Sequence, residues 1–150
     1  MKGILVDAIC KEIELQKDFL KEKQIDSIYF GGGTPSVLDK NELEKIFRSL
    51  AKYFTWDKDA EITLECNPDD LSKEKLQELK ELGVNRLSIG LQSFNDDELK
   101  WMNRLHTAAE SEASVKLAQE VGFKNISIDL IYGSKFQTVE SWKKTLEKAL

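Results

Sequence analysis

Histidine and cysteine are scarce in this chain. Its 150 residues include one histidine, His106, and two cysteines, Cys10 and Cys66. The cysteines lie far apart and do not have the short spacing of paired metal ligands, so neither a zinc site nor an iron–sulfur cluster site can be assembled from them. We therefore assign no metal ligand and no catalytic residue. We expect each cysteine to be a small buried apolar residue, and His106 to lie at the surface or at a helix cap.

Long apolar runs are also missing. No segment approaches the roughly 18 apolar residues of a membrane span, and the N-terminus lacks the apolar core of a signal peptide. The chain has 22 basic and 27 acidic residues, a formal net charge of −5. A field of that sign does not attract nucleic acid or an anionic membrane. We expect a soluble, cytoplasmic protein with no nucleic-acid partner and no membrane span.

Short apolar runs alternate with segments of helical periodicity. The runs predict strands at Ser27–Phe30, Ile62–Cys66, Arg86–Leu91 and Ile126–Ile131. Apolar residues at helical spacing predict a first helix over residues 5–20 and a last helix over residues 142–150. Residues that favour helix starts and glycines that favour helix ends support this pattern. The predicted starts are at Asp39, Ser72, Thr107 and Thr138, and the predicted ends are at Gly83 and Gly122.

Strands that alternate with helices predict an α/β fold with a parallel sheet and right-handed crossovers. The strands are almost continuously apolar, which predicts that both faces of the sheet are covered. An open doubly wound sheet and a barrel both remain possible. A complete eight-stranded barrel takes about 250 residues, so four strand–helix units would form a partial one. Because the chain opens on a helix with no strand before it, we expect a truncated domain.

Unusual residues follow the predicted strands, where function is located in both architectures. Gly31, Gly32 and Gly33 follow the first strand, and Glu65, Gln92 and Asp129 lie at the ends of the next three. Glycines let a ligand approach the main chain, although they also suit a tight turn. The carboxylates suit ribose hydroxyls or an ammonium group, or else a structural salt bridge.

Two further side chains have a functional and a structural interpretation. Gln92 is either a satisfied core amide or a donor to a ligand. Arg104 follows it in the segment Trp101-Met-Asn-Arg-Leu-His-Thr107. An isolated arginine is usually a solvated charge, whereas an arginine at the rim of a site would suit a carboxylate ligand.

Four segments, in order, resemble the signature segments of one family, the oxygen-independent coproporphyrinogen III oxidases and the related haem chaperones of the radical S-adenosylmethionine (SAM) class. They are Tyr29-Phe-Gly-Gly-Gly-Thr-Pro-Ser36, Thr63-Leu-Glu-Cys-Asn-Pro68, Asn85-Arg-Leu-Ser-Ile-Gly-Leu-Gln-Ser-Phe94 and Ile128-Asp-Leu-Ile-Tyr-Gly133. The resemblance covers residues 25–140. The amino-acid sequence around Gln92 and Arg104 resembles the haem-chaperone branch more closely than the oxidases.

The resemblance implies a partial parallel (β/α) barrel that holds SAM and a [4Fe–4S] cluster at its open end. It implies that the chain, residues 1–150, is the central part of that barrel, truncated at both ends. It also implies a set of SAM-binding residues. These are Gly31, Gly32, Gly33, Thr34, Pro35, Glu65, Gln92, Arg104 and Asp129. Arg104 would suit the SAM carboxylate, and Asp129 the ribose or the amino group.

Two departures from the family limit these expectations. The cysteine motif that holds the cluster and the first strand are absent, so the cluster is expected in the parent protein only, and the chain itself is expected not to catalyse. SAM chelates the cluster iron in this family, so we expect weak SAM binding here. In addition, Gly133-Ser-Lys-Phe-Gln137 replaces the usual Gly-Leu-Pro-x-Gln, so the loop after the fourth strand departs from the family pattern.

Several alternatives for function remain open. The parent could be a haem chaperone, a true oxidase that decarboxylates porphyrinogen propionates, or a non-catalytic nucleotide-binding domain. Its small-molecule partners would be SAM and, in the first two cases, haem or a porphyrin. The two outermost strands, at Ser27–Phe30 and Ile126–Ile131, lack the proline that blunts a sheet edge, and Asp129 is the one charge there. We therefore expect self-association through sheet edges.

Overall fold

A computed structural model describes residues 2–150, which form a four-stranded sheet flanked by helices. The strands are β1 (Ser27–Phe30), β2 (Glu61–Cys66), β3 (Arg86–Gln92) and β4 (Asn125–Leu130). The helices are α1 (Lys2–Leu15), α2 (Lys40–Leu50), α3 (Lys73–Glu81), α4 (Asp96–Trp101), α5 (Ala108–Val121) and α6 (Val139–Ala149). Short 3₁₀ helices follow β1 and β2, at Pro35–Val37 and Pro68–Asp70. The four predicted strands are confirmed to within one residue at each end, and α4 was not predicted.

The order of the strands decides between the two candidate architectures. All neighbours are parallel, and the spatial order β1-β2-β3-β4 follows the sequence. A doubly wound sheet reverses its strand order at a switch point, and this sheet has no reversal within residues 2–150. The arrangement is the one expected of part of a (β/α) barrel, so the predicted fold is confirmed.

The hydrophobic core lies on one face of the sheet. Successive strand residues point to opposite faces, and alternate positions such as Leu64, Leu87 and Ile89 are fully buried against the helices. The helical partners in this core include Leu43, Ile46, Leu76, Leu79 and Ala118. Each buried leucine or isoleucine side chain contributes about 1.5–3 kcal/mol relative to its exposed state.

The opposite face of the sheet is polar and only partly covered, because Thr63 and Ser88 are buried whereas Tyr29 and Asp129 are exposed. Arg86 on β3 donates hydrogen bonds to Thr63 on β2 and Ser127 on β4, at 3.3 Å each. Ser127 also donates to Ser88 at 3.2 Å. The predicted apolar runs include these small polar residues at alternate positions of the strands. A polar face suits the inside of a barrel that holds a polar ligand.

The helix boundaries follow local chemistry. Asp39 and Thr107 begin α2 and α5 with reciprocal hydrogen bonds to Glu42 and Glu110, as predicted, and such caps are worth about 1 kcal/mol each. Gly122 ends α5 at φ 98°, in the left-handed region that glycine favours.

The first helix is shorter than predicted, because it ends at Leu15 rather than at residue 20. Gln16 and Lys17 occupy the next positions of its apolar stripe, so the turn after Leu15 would bury no apolar side chain there. Phe19, beyond the end of the helix, is 81% exposed. No helix within residues 2–150 combines the length and the apolarity that a membrane span requires.

Candidate functional site

A polar cavity of about 130 Å³ lies at the carboxyl ends of the strands. Its lining comes from the ends of β2, β3 and β4, from the segments that follow β1 and β2, and from the connection between α4 and α5. The lining residues are Gly33, Thr34, Pro35, Glu65, Cys66, Asn67, Ser88, Gly90, Gln92, Arg104 and Asp129. We call this the rim cavity.

The glycine segment after β1 forms one wall of the rim cavity. Gly32 and Gly33 have φ values of 75° and 71°, and no heavy atom lies within 4 Å of the place where a Cβ would be. Gly31 is different, because a Cβ there would lie 2.5 Å from the Tyr29 ring and 2.9 Å from Glu65 Oε1. The first glycine therefore permits close packing inside the protein, whereas the next two leave open space beside the main chain.

Glu65 holds this glycine segment in place. Its Oε1 accepts a hydrogen bond from the Tyr29 hydroxyl at 2.7 Å, and its Oε2 accepts one from the Gly32 N–H at 3.1 Å. Within residues 2–150, no lysine, arginine or histidine forms an ion pair with Glu65, so the salt-bridge alternative is wrong for this residue. The hydrogen bond to Glu65 raises the pKa of the Tyr29 phenol, so Tyr29 remains a donor at neutral pH.

Gln92 ends β3 in a strained conformation. Its φ is 69°, which is uncommon for a residue other than glycine, and the pairing of β3 with β4 is irregular between Ile89 and Gln92. Its carbonyl accepts a hydrogen bond from the Ile131 N–H at 2.9 Å. A Cβ at Gly90 would lie 2.7 Å from Gln92 Nε2, so the glutamine side chain folds over a glycine. Backbone strain held by its surroundings is a common feature of functional sites.

Arg104 and Asp129 are only loosely held by the protein. Arg104 Nη1 lies 3.5 Å from Asn67 Oδ1, and Ser88 Oγ lies 3.4 Å from Asp129 Oδ2. Both distances are near the upper limit for a hydrogen bond. The guanidinium and the carboxylate therefore retain most of their capacity to bind a ligand.

The charges of the rim cavity add to a small negative value. Glu65 and Asp129 each contribute a carboxylate, and Arg104 contributes the one cationic side chain of the lining. Such a site favours a ligand with a net positive charge that also carries a carboxylate for the guanidinium. SAM has this character, because it combines a sulfonium and an ammonium with a carboxylate.

The described residues do not fit an iron–sulfur cluster. Within residues 2–150, no three histidine, cysteine, aspartate or glutamate side chains are grouped closely enough to hold a metal ion. Cys66 is 4% exposed, and burial raises the pKa of its thiol to about 12, so it is not the thiolate that a cluster needs. The predicted burial of Cys66 is confirmed, whereas Cys10 is only half-buried.

The structure brings the residues expected at the site close together. Gly33, Thr34, Pro35, Glu65, Gln92, Arg104 and Asp129 all line the rim cavity, and Gly31 and Gly32 adjoin it. Sequence reasoning missed Tyr29, Asn67, Ser88 and Gly90. Tyr29 could have been found, because it alternates with Ile28 and Phe30 and so shares a face with the polar residues of β2. His106 was wrongly expected at the surface or at a cap, and its side chain is buried.

Comparison with known proteins places these observations in a family. The model of the radical SAM superfamily matches residues 7–149. The heme chaperone HemW of Lactococcus lactis is 39% identical over 150 residues, which is 100% of this chain and 40% of that protein. The oxygen-independent coproporphyrinogen III oxidase of Escherichia coli is 34% identical over 143 residues, which is 95% of this chain and 31% of that protein.

A solved structure agrees with these sequence matches. The structure of coproporphyrinogen III oxidase (HemN) from Escherichia coli, described as a radical SAM enzyme, superimposes with a TM-score of 0.87 at 34% identity. The match covers 98% of this chain and 34% of that one. The chain thus spans between about a third and two fifths of the length of these relatives. On the extent of the family match and the agreement of the fold, the chain belongs to the radical SAM superfamily.

Proposed function

We propose that this chain is the SAM-binding central part of a radical SAM barrel, in a parent protein of haem metabolism. The observation that carries the proposal is the rim cavity. There, open glycine main chain, two carboxylates and one arginine surround a single space at the carboxyl ends of four parallel strands. Ligands of parallel (β/α) folds bind at that end of the strands.

Each part of SAM has a complementary group in the rim cavity. Main-chain groups of Gly33 and Thr34 would receive the methionyl part, because no side chain separates them from a ligand. Arg104 would bind the carboxylate, and Asp129 a ribose hydroxyl or the ammonium group. Glu65 would act mainly by holding the glycine segment, since both of its oxygens already accept hydrogen bonds.

The size of the cavity indicates how much of the ligand it encloses. At about 130 Å³ it is smaller than the roughly 300 Å³ of a typical ligand pocket. It would therefore enclose one part of SAM, and the rest would lie over the polar face of the sheet. A [4Fe–4S] cluster, which supplies an electron for SAM cleavage in this superfamily, would need ligands from outside residues 2–150. We expect SAM binding to be weak and the chain by itself to be inactive.

Two glutamates on β2 provide a test of this assignment. Glu65→Ala removes the acceptor that holds Tyr29 and Gly32, so we expect the affinity for SAM to fall at least tenfold, equivalent to about 1.4 kcal/mol. Glu61→Ala is the matched control, because Glu61 lies on the same face at the other end of the strand. Titration calorimetry measures the affinity of both variants for SAM. Equal affinities for SAM in the two variants would contradict the proposal.

We assign the parent to the haem-chaperone branch. It is supported by the greater identity to the chaperone of Lactococcus lactis, 39% against 34% for the oxidase of Escherichia coli. Haem would then be a partner of the parent protein, which we expect in the cytoplasm. Porphyrin decarboxylation by a reconstituted parent would instead assign the chain to the oxidases.

Self-association through the sheet edges is a further part of the proposal. The edge strands within residues 2–150 are β1 and β4, and an apolar groove of about 430 Å³ lies between β1 and α1. Unpaired strand edges beside apolar surface favour pairing with another chain. Light scattering across a tenfold concentration range should show a rising mass, and Ser27→Lys should reduce the rise. A monodisperse monomer of 17.2 kDa at all concentrations would contradict it.

A further inference from the structure

A buried serine joins two of the segments that form the rim cavity. Ser36 lies on the 3₁₀ helix after the glycine segment, directly after Pro35, which lines the cavity. Ser36 is only 3% exposed, so water does not readily replace its hydrogen-bond partners. Its hydroxyl group makes two hydrogen bonds, both with the segment after β2. Ser36 therefore connects the segments that follow two neighbouring strands.

The hydroxyl group of Ser36 both donates and accepts. It donates to Asp70 Oδ2 at 2.6 Å and accepts from the Asn67 N–H at 3.3 Å. The donated bond has the length usual for a hydroxyl that donates to a carboxylate, and such bonds are stronger than those between neutral groups. A hydroxyl group has a single proton to donate. Asp70 therefore fixes the direction of that proton and leaves a lone pair of the Ser36 oxygen for Asn67.

Asn67 extends this connection to the arginine of the rim cavity. Its main-chain N–H is held by Ser36, and its side-chain Oδ1 lies 3.5 Å from Arg104 Nη1. Asn67 and Arg104 both line the rim cavity, as do Thr34 and Pro35 on the segment that carries Ser36. The contact of Ser36 with the segment after β2 therefore affects both the main chain offered to the ligand and the partner of the guanidinium.

The Ser36–Asp70 contact differs from a local helix contact. Within residues 2–150, no lysine, arginine or histidine forms an ion pair with Asp70, and neither Ser36 nor Asp70 lines the rim cavity. Ser114, by contrast, is a buried serine that donates to the Ser111 carbonyl oxygen within α5. Its hydroxyl group joins no separate segments, so Ser114 provides a control for the loss of a buried hydroxyl.

We propose that Asp70 and Ser36 are positioning residues for SAM, an inference that rests on the proposed SAM site. Their hydrogen bond fixes the main chain of residues 34–35 relative to Asn67, and Asn67 in turn contacts Arg104. The pair thereby aligns the main chain that receives the methionyl part of SAM with the guanidinium that binds its carboxylate. Both residues act through neighbours that line the rim cavity.

Two replacements of Asp70 separate the hydrogen bond from the charge. Asp70→Ala removes the acceptor, whereas Asp70→Asn removes the same negative charge but keeps an acceptor oxygen for Ser36. We expect the affinity for SAM to fall about fivefold or more in Asp70→Ala, and to stay within about a factor of two of the wild type in Asp70→Asn. Titration calorimetry measures the affinity. Equal affinities in the two variants, whether lowered or unchanged, would overturn the positioning role.

A double-mutant cycle tests whether Ser36 and Asp70 act together. Ser36→Ala removes both hydrogen bonds of the hydroxyl group, so adding Asp70→Ala should change the affinity for SAM by no more than about a factor of two. Ser114→Ala should bind SAM as the wild type does, and circular dichroism checks that each variant is folded. Losses that add in the double variant, or an equal loss in Ser114→Ala, would overturn the role.

The contact itself can be tested without SAM. In the ligand-free chain, the Asn67 amide should exchange its hydrogen with solvent faster in Ser36→Ala than in the wild type, and Ser114→Ala should leave that rate unchanged. Unchanged exchange in Ser36→Ala would overturn the contact. A wild type that protects the Asn67 amide but does not bind SAM would overturn the proposed function, and the positioning role with it. A wild type that binds SAM as tightly as Asp70→Ala does would overturn the positioning role alone.

Discussion

Replacing Gly32 by valine should abolish detectable SAM binding while leaving the chain folded. Gly32 has a φ of 75°, where a residue with a Cβ is less stable by about 1–2 kcal/mol, and a β-branched side chain is especially unfavourable. The Gly32 N–H donates to Glu65 Oε2 and the neighbouring Gly33 lines the rim cavity, so distortion at Gly32 would displace the main chain that receives the ligand. Titration calorimetry measures the binding, and circular dichroism checks the fold.

Gly133→Val is the matched control for this substitution. Gly133 has a φ of 83° and equally open surroundings, but it lies in the loop after β4 and is not part of the lining of the rim cavity. Backbone strain is therefore similar in the two variants, and only the first distorts a segment that lines the rim cavity. We expect Gly133→Val to bind SAM within a factor of about three of the wild type. Equal losses in both variants, or binding that survives Gly32→Val, would count against the rim cavity.

Cys66 should react with thiol reagents about a thousandfold more slowly in the folded chain than in the unfolded chain. Burial is the main cause that raises the pKa of its thiol from 9.0 to about 12, and reagents attack the thiolate. At pH 8 the folded chain should therefore be labelled at Cys10 alone, and the denatured chain at both cysteines. A Cys66→Ala variant identifies the slow site. Rapid labelling of Cys66 in the folded chain would contradict its burial.

The same pKa shift makes stability depend on pH in the alkaline range. The thiol pKa is higher in the folded state than in the unfolded state, so the stability it contributes is complete below pH 9 and is lost as the pH rises toward 12. The difference in unfolding free energy between the wild type and Cys66→Ala should be constant up to about pH 8.5. Above that it should fall by up to about 1.4 kcal/mol per pH unit. Urea unfolding of both proteins at several pH values measures this difference in unfolding free energy.

Local chemistry made much of the fold predictable. The repeated pattern of a helix, a glycine and an apolar strand, around Gly83 and Gly122, marks a turn that few other residues can form. The capping residues Asp39 and Thr107 mark helix starts for an equally local reason. The rim residues were predictable because parallel strands all end at the same edge of the sheet.

The features that the sequence did not reveal depend on packing between distant segments. The small residues Thr63 and Ser88 are buried on the polar face, beneath hydrogen bonds that a linear pattern does not show. His106 is buried by contacts with Leu91 and Asp69, which belong to two other segments. The helix α4 is short, and its buried Glu98 interrupts the apolar pattern that would have identified it.

Glycine-selective ¹⁵N labelling provides the most direct test of the central claim, that SAM binds in the rim cavity. The chain has 8 glycines, and they include residues at both ends of the strands. Gly31, Gly32, Gly33 and Gly90 lie in or beside the rim cavity at the carboxyl ends of the strands. Gly83 and Gly122 precede β3 and β4 and therefore lie at the amino ends of the strands. Titration with SAM should shift the signals of the first group and leave those of the second unchanged. Shifts confined to Gly83 and Gly122, or no shifts at millimolar SAM, would contradict the account.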